Sequence, residues 1–212
     1  MSQRKSRIED FELFQGTVEK AFKSLQNQNP DYSSLVDYYG FTVCPKGRDG
    51  GQDPRHTEIF YGNRVYDQEK ELTKDFKVST HFLSESGAEL SFFRDDFGYV
   101  CVQLFPAKSK YGRQYEDSIL LYAHYGPRKL LKHSIQKKIL KQLNSYMAVT
   151  CLEGKPSCCD KARVFFMRLN KRMVVKEEIQ PVRIMSWLGE VLKFALTVGL
   201  SGFLLTIIEK YV

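Results

Sequence analysis

Residues 88–105, AELSFFRDDFGYVCVQLF, contain two runs in which apolar residues recur at every second position, on either side of a short turn. The runs cover residues 88–94 and 99–105, and the turn between them is Asp95-Asp96-Phe97-Gly98. Such alternation is typical of half-buried β-strands, and a polar turn that ends in glycine predicts a hairpin. An antiparallel sheet is therefore predicted at the centre of the chain.

Further strand-like segments flank this hairpin on both sides. They cover residues 41–44, 57–61, 76–83 and 117–125. Residues 67–74 are predicted to form a turn or a short helix, whereas residues 162–169 and 173–179 could be strands or helical turns. The pattern predicts one antiparallel sheet of about four to six strands in meander order.

Helices are predicted at both ends of this sheet. A capping-box pair, Ser6 and Glu9, precedes apolar residues at helical spacing and predicts a helix over residues 7–28. A short second helix begins at Pro30, and the longest helix of the sheet-containing part is predicted over residues 127–149. The predicted fold class is α+β, with one domain over residues 1–180.

The helix predicted at residues 127–149 has the strongest charge asymmetry in a chain whose formal net charge is +7. It carries no acidic residue, and its basic-type residues are Arg128, Lys129, Lys132, His133, Lys137, Lys138 and Lys141. A solvated helix normally mixes both signs, so this asymmetry predicts an anionic partner. Lipid headgroups, a nucleotide and an oligonucleotide all fit the charge, and so does simple attraction to an anionic membrane. A solvated basic helix with no partner is the alternative interpretation.

A loop rich in glycine and proline, PKGRDGGQDPR at residues 45–55, is a second candidate for anion binding. Its basic residues Lys46, Arg48 and Arg55 could surround a phosphate group together with the backbone N–H groups. The loop has no Walker motif, and a solvated flexible loop is the alternative interpretation.

Residues 181–212, PVRIMSWLGEVLKFALTVGLSGFLLTIIEKYV, are predicted to form a C-terminal transmembrane helix. A helix over residues 184–208 would extend roughly 37 Å, more than the hydrocarbon core of about 30 Å. Glu190 and Lys193 lie three residues apart, so they could pair with each other or lie at the membrane interface. The excess of basic residues before the segment predicts a cytoplasmic N-terminal domain. A buried helix of the domain, or a helix lying flat on the membrane, are the alternatives.

Small residues in this segment predict self-association. Ala195, Gly199, Gly202 and Thr206 follow spacings of four, three and four residues, which places them on one stripe of a helix. Such a stripe lets membrane helices approach closely, so a homo-oligomer is predicted. A ring of these helices would bring Glu190 and Lys193 of each copy together and could permeabilise the membrane.

No catalytic or cofactor-binding signature occurs in the chain, and the five cysteines lack the spacing of a zinc site. Neither catalytic residues, a metal nor a cofactor is predicted. One weak pattern remains, because Glu153-Gly154-Lys155 matches half of a metal-dependent nuclease motif and Glu116-Asp117 could supply its acidic part.

These features together predict a tail-anchored membrane effector of the toxin or defence type. Its basic cytosolic domain would sense an anionic ligand or a partner, and its C-terminal helices would assemble in response. A membrane-tethered adaptor or scaffold, and a membrane-tethered nuclease or hydrolase, are the alternatives.

Overall fold

A computed structural model describes residues 3–48, 51–72, 78–112, 114–184, 189–190, 193–194 and 196 of the chain. In these ranges the chain has the predicted α+β class, with antiparallel strands and four α-helices. The strands are β1 (Phe41–Cys44), β2 (His56–Tyr61), β3 (Asn63–Leu72), β4 (Val78–Ser86), β5 (Glu89–Arg94), β6 (Val100–Phe105), β7 (Lys108–Ser109), β8 (Ser118–Tyr125), β9 (Arg172–Val175) and β10 (Glu178–Gln180). The helices are α1 (Gln3–Asn27), α2 (Ser33–Tyr39), α3 (His133–Thr150) and α4 (Cys158–Asn170).

Seven of these strands form the main sheet, in the order β1-β2-β5-β6-β8-β9-β10. The predicted hairpin of β5 and β6 is confirmed, and Glu89 pairs with Phe105 at its open end. Its turn closes with a bond from the Asp95 N–H to the Tyr99 carbonyl (2.8 Å), and Gly98 has a φ of 84° that favours glycine. The sheet has more strands than the four to six predicted, because the β9–β10 hairpin adds to the edge of β8.

The remaining strands form a second sheet, in the order β3-β4-β7. Along the chain, β3 and β4 lie between β2 and β5, whereas β7 lies between β6 and β8. The prediction of a turn or short helix at residues 67–74 is wrong for residues 67–72, which belong to β3. These residues are mostly charged or polar, but β3 pairs with β4 at nine positions. Backbone pairing with β4 therefore outweighs the weak strand propensity of the local sequence.

The helix predicted over residues 127–149 begins later than expected. Pro127–Lys129 forms a separate 3₁₀ turn, and the extended backbone of Lys132 separates this turn from α3. Residues 162–169, for which the sequence predicts strands or helical turns, lie within α4. That helix begins with a capping box in which the Ser157 hydroxyl and the Asp160 carboxylate each accept a bond from the other residue's N–H.

The hydrophobic core lies between the helices and one face of the main sheet. Phe14 and Phe22 of α1 pack against Phe92 of β5, with ring centroids 5.1 and 6.4 Å apart, and all three side chains are fully buried. The packing of α1 on the central strands confirms that the apolar stripe of the N-terminal helix faces the core.

A ring of buried polar side chains joins α1, β2 and α3 inside this core. The Tyr61 hydroxyl donates to Asn144 Oδ1 (3.0 Å), Asn144 Nδ2 donates to Gln26 Oε1 (2.8 Å), and Gln26 Nε2 donates to the Tyr61 hydroxyl (3.2 Å). Each side chain satisfies another, so the ring can be buried without leaving an unpaired polar group, and it fixes the position of α3 relative to the sheet.

The predicted transmembrane segment falls largely outside the described residues. Residues 183–184, 189–190, 193–194 and 196 are helical, and Glu190 and Lys193 are exposed. Within the described parts of the chain, no helix combines the length and the apolar character that a membrane crossing requires. Ala195, Gly199, Gly202 and Thr206 lie outside the described residues, so the spanning helix and its packing stripe stay predictions.

Candidate functional site

The basic residues predicted at residues 127–149 lie on the exposed side of α3 and of the turn that precedes it. We call them the basic face, which comprises Arg128, Lys129, Lys132, Lys137, Lys138 and Lys141, all of them exposed. The buried side of α3 carries Ile139, Leu143 and Tyr146. The core therefore fixes the rotation of the helix, and this rotation directs its lysines to the surface.

None of the six basic-face residues forms an ion pair with a carboxylate within the described part of the chain. Other basic residues do form such pairs. Arg64 binds Glu153 at 2.8 Å, and Arg168 binds Glu116 at 2.7 Å. The cations of the basic face repel one another at helical spacing, so a bound anion would lower the energy of the free surface.

The three basic residues predicted in the loop at 45–55 are engaged differently. Arg48 donates to Glu58 at 3.1 Å, also binds Glu89, and lies 4.0 Å above the Phe60 ring. Arg55 pairs with Asp96 at 3.1 Å, whereas Lys46 is exposed. Two of the three positive charges are thus already balanced by carboxylates of the same chain.

A polar cluster of His56, Ser91 and Glu58, which the sequence reasoning missed, lies on the sheet beside Arg48. His56 Nε2 lies 2.7 Å from Ser91 Oγ and 3.7 Å from a carboxylate oxygen of Glu58. A catalytic relay needs the serine on one ring nitrogen and the acid on the other, but both contacts here involve the same nitrogen. The cluster therefore lacks the geometry of an activated serine.

The residues of the weak nuclease pattern bind separate partners. Glu153 pairs with Arg64, whereas Glu116 binds Arg168 and Tyr146, and Asp117 accepts a bond from the Glu177 N–H (3.3 Å). Among the residues that the structure describes, no group of three or more histidines, cysteines or carboxylates is placed to hold a metal ion.

A groove of about 500 Å³ lies between α3 and α4, and the sequence reasoning did not anticipate it. Its apolar lining includes Ala162, Phe166 and Met167, and its polar lining includes Gln142 and Lys171. Lys171 Nζ donates to the Leu121 carbonyl (2.8 Å). Burial, followed by the charge of Lys138, lowers the pKa of Lys171. Lys138 lies one helical turn before the lining residue Gln142 on α3, so this residue of the basic face is close to the groove.

The solvent side of α4 is apolar along most of its length. Phe165 and Phe166 are 61% and 57% exposed, and their rings contact each other with centroids 5.8 Å apart. Cys158, Cys159 and Ala162 continue this side toward the start of the helix and are also exposed. The capping pattern Ser157-Cys-Cys-Asp160 is the signal that could have identified α4 as a helix.

No protein-family model, curated protein or solved structure matches the chain. The basic face, the groove and the exposed side of α4 are therefore the features from which a function is proposed.

Proposed function

We propose that the chain is a single-pass, tail-anchored membrane effector whose cytosolic domain binds an anionic ligand or partner through the basic face. One observation carries this proposal: six exposed cations lie on one side of α3 and its preceding turn with no carboxylate partner in the described part of the chain. The basic residues that pair within the domain contribute to its fold, whereas the basic face is left available for an external anion.

The predicted helix at residues 181–212 provides the anchor in this proposal. Its small residues Ala195, Gly199, Gly202 and Thr206 would let copies pack closely, and ligand binding to the domain would favour that assembly. Assembled helices would bring Glu190 and Lys193 together and permeabilise the membrane, which is an activity of the toxin or defence type.

Replacing Lys137 and Lys141 by glutamine is expected to weaken polyanion binding about tenfold, because each lost cation removes one phosphate contact and its released counterion. A labelled single-stranded oligonucleotide serves as the polyanion probe, and the full chain is held in phosphatidylcholine nanodiscs. The slope of log affinity against log salt should fall in magnitude by about 1.4, since each contact contributes about 0.7 for single strands.

The matched control is Lys70→Gln/Lys155→Gln, which removes two exposed lysines outside the basic face. This control should keep the affinity and the salt slope of the unmodified chain. Equal affinity of the Lys137→Gln/Lys141→Gln variant and the unmodified chain would contradict the proposed role of the basic face.

Leucine at Gly199 and Gly202 is expected to slow dye release from liposomes several-fold, because larger side chains prevent close approach of membrane helices. The unmodified full chain should release an entrapped dye at protein densities that give oligomers. Leucine at Ile208 changes little in side-chain size, so Ile208→Leu is the control. Absence of release at every density that gives oligomers would refute the permeabilising part of the proposal.

A further inference from the structure

We propose that α4, together with its groove against α3, is a docking surface for an anionic lipid bilayer, so that the domain lies on the membrane through this surface. This inference rests on the proposed function, because it names the source of the anion that the basic face binds. We assign the anion to a lipid surface rather than to a soluble phosphate, because exposed apolar side chains and positive charges lie side by side here.

The first reason is the apolar solvent side of α4. Phe165 and Phe166 expose more than half of their surface, next to the exposed residues Cys158, Cys159 and Ala162. A contiguous exposed apolar surface, unlike a single exposed apolar residue, marks a site of contact with a protein or a membrane. A helix with phenylalanines on its outer side and lysines beside it is typical of binding at the boundary between headgroups and acyl chains.

The second reason is the charge beside this apolar side. Lys171 lines the groove, and Lys138 lies one helical turn before the lining residue Gln142 on α3. Neither lysine forms an ion pair with a carboxylate in the described part of the chain. An anionic bilayer presents phosphates beside acyl chains. Lys138 and Lys171 would therefore face phosphates while Phe165 and Phe166 enter the apolar layer.

The third reason is an unsatisfied group in the groove. Gln142 is only 7% exposed, lines the groove, and its Oε1 has no hydrogen-bond partner among the described residues. Buried amide oxygens normally accept a bond, so rotation of the Gln142 amide toward the groove would offer its oxygen to a donor of a ligand. The ammonium group of a phosphatidylserine headgroup is such a donor.

Two other occupants fit less well. A second copy seated face to face on α4 would bring two basic faces together, and the repulsion would oppose association. A nucleic acid would match the cations, but the rings of Phe165 and Phe166 are tilted 72° to each other. They therefore do not offer parallel platforms on which successive bases could stack.

The test measures how fast Cys158 and Cys159 react with a membrane-impermeant maleimide in the full chain, reconstituted in vesicles. Both thiols are exposed on the proposed surface, whereas Cys151 is buried and Cys44 and Cys101 are partly buried. Labelling is expected to slow about tenfold when phosphatidylserine is added to phosphatidylcholine, and to recover at about 1 M salt, where the Debye length is about 3 Å. Mass spectrometry assigns the labelled positions.

The variant Phe165→Gln/Phe166→Gln should lose this protection, and both positions are exposed, so folding is preserved. Its matched control, Val78→Gln/Phe82→Gln, changes two exposed apolar residues of β4 and should keep the protection. Equal labelling rates in vesicles with and without phosphatidylserine would overturn the docking surface. If the chain still bound the oligonucleotide in that case, the proposed role of the basic face would stand. Protection that depends on protein density, or that appears only with the oligonucleotide, would overturn it in favour of a second copy or a nucleic acid.

Discussion

Replacing Arg168 by methionine is expected to destabilise the fold by about 3–5 kcal/mol, the range for removing one partner of a buried ion pair. Both Nε and Nη2 of Arg168 bind Glu116 Oε1 at 2.7 Å, and the Tyr146 hydroxyl donates to the same oxygen at 2.9 Å. The Glu116 side chain has no solvent exposure, and its Oε2 has no partner in the described part of the chain. Without Arg168, a buried carboxylate would keep only one hydrogen bond from a neutral group.

Tyr146 cannot replace Arg168 by giving its proton to the Glu116 carboxylate. Burial and the Glu116 charge raise the pKa of Tyr146 well above its ordinary value, so this side chain remains a neutral donor. The ion pair also joins α4 to the segment before β8, and its loss would weaken the attachment of the helix that carries Phe165 and Phe166.

Urea unfolding of the full chain in nanodiscs measures this effect. The control Arg172→Met removes an exposed arginine four residues further along and should change the unfolding free energy by less than about 0.5 kcal/mol. The double variant Glu116→Gln/Arg168→Met should recover much of the loss, because it removes the buried charge itself. Unchanged stability of Arg168→Met would show that the pair does not support the attachment of α4.

The parts of the fold that were predicted correctly are those in which local pattern and tertiary packing agree. The β5–β6 hairpin alternates and has its own turn, and the apolar stripe of α1 faces the core as expected. By contrast, β3 is held by pairing with β4, which local sequence does not report. In α4, apolar residues occupy the solvent side as well as the core side, so the helical period is obscured.

The candidate site also contains features that local sequence predicts and features that depend on tertiary contacts. Sequence alone identified the basic residues of α3 as one group, because their spacing and lack of acidic neighbours are local properties. Local spacing and composition could not predict the partners of the loop arginines, Arg48 and Arg55. Arg48 binds Glu89, 41 residues away, and Arg55 binds Asp96 on a different turn. The groove depends on how α4 packs against α3, and no local pattern encodes that contact.

The structure also predicts that the stability contributed by Asp160 is lost in acid. Burial disfavours the charge of Asp160, but hydrogen bonds from Ser157, Tyr32 and Ser145 outweigh this effect and lower its pKa from 3.8 to about 2. The Tyr32 and Ser145 hydroxyls donate to Oδ1 at 2.6 and 2.7 Å, and the Ser157 hydroxyl donates to Oδ2 at 2.6 Å. Asp160 thus joins the start of α4 to α3 and to the turn before α2.

Proton linkage gives the direction in which the contribution of Asp160 to stability changes with pH. A carboxyl group whose pKa is lower in the folded state stabilises the fold above its unfolded pKa and loses that contribution as the pH falls through the folded value. The difference between 3.8 and about 2 corresponds to roughly 2 kcal/mol, at 1.36 kcal/mol per pKa unit. This contribution should be complete above about pH 5 and lost progressively between about pH 4 and pH 2.

Comparing the unmodified chain with Asp160→Ala isolates this group from the other carboxylates, which titrate in both proteins. The difference in unfolding free energy between them should shrink by roughly 2 kcal/mol as the pH falls from 5 to 2. Tyr32→Phe removes one of the bonds that lower the pKa, so the acid-dependent part should be smaller in that variant, although the carboxylate is retained. The difference in unfolding free energy between the unmodified chain and Asp160→Ala could instead stay constant over this pH range. That result would show that the carboxylate does not hold α4 through its charge. In that case the capping geometry alone would fix the start of the helix that bears the proposed docking surface.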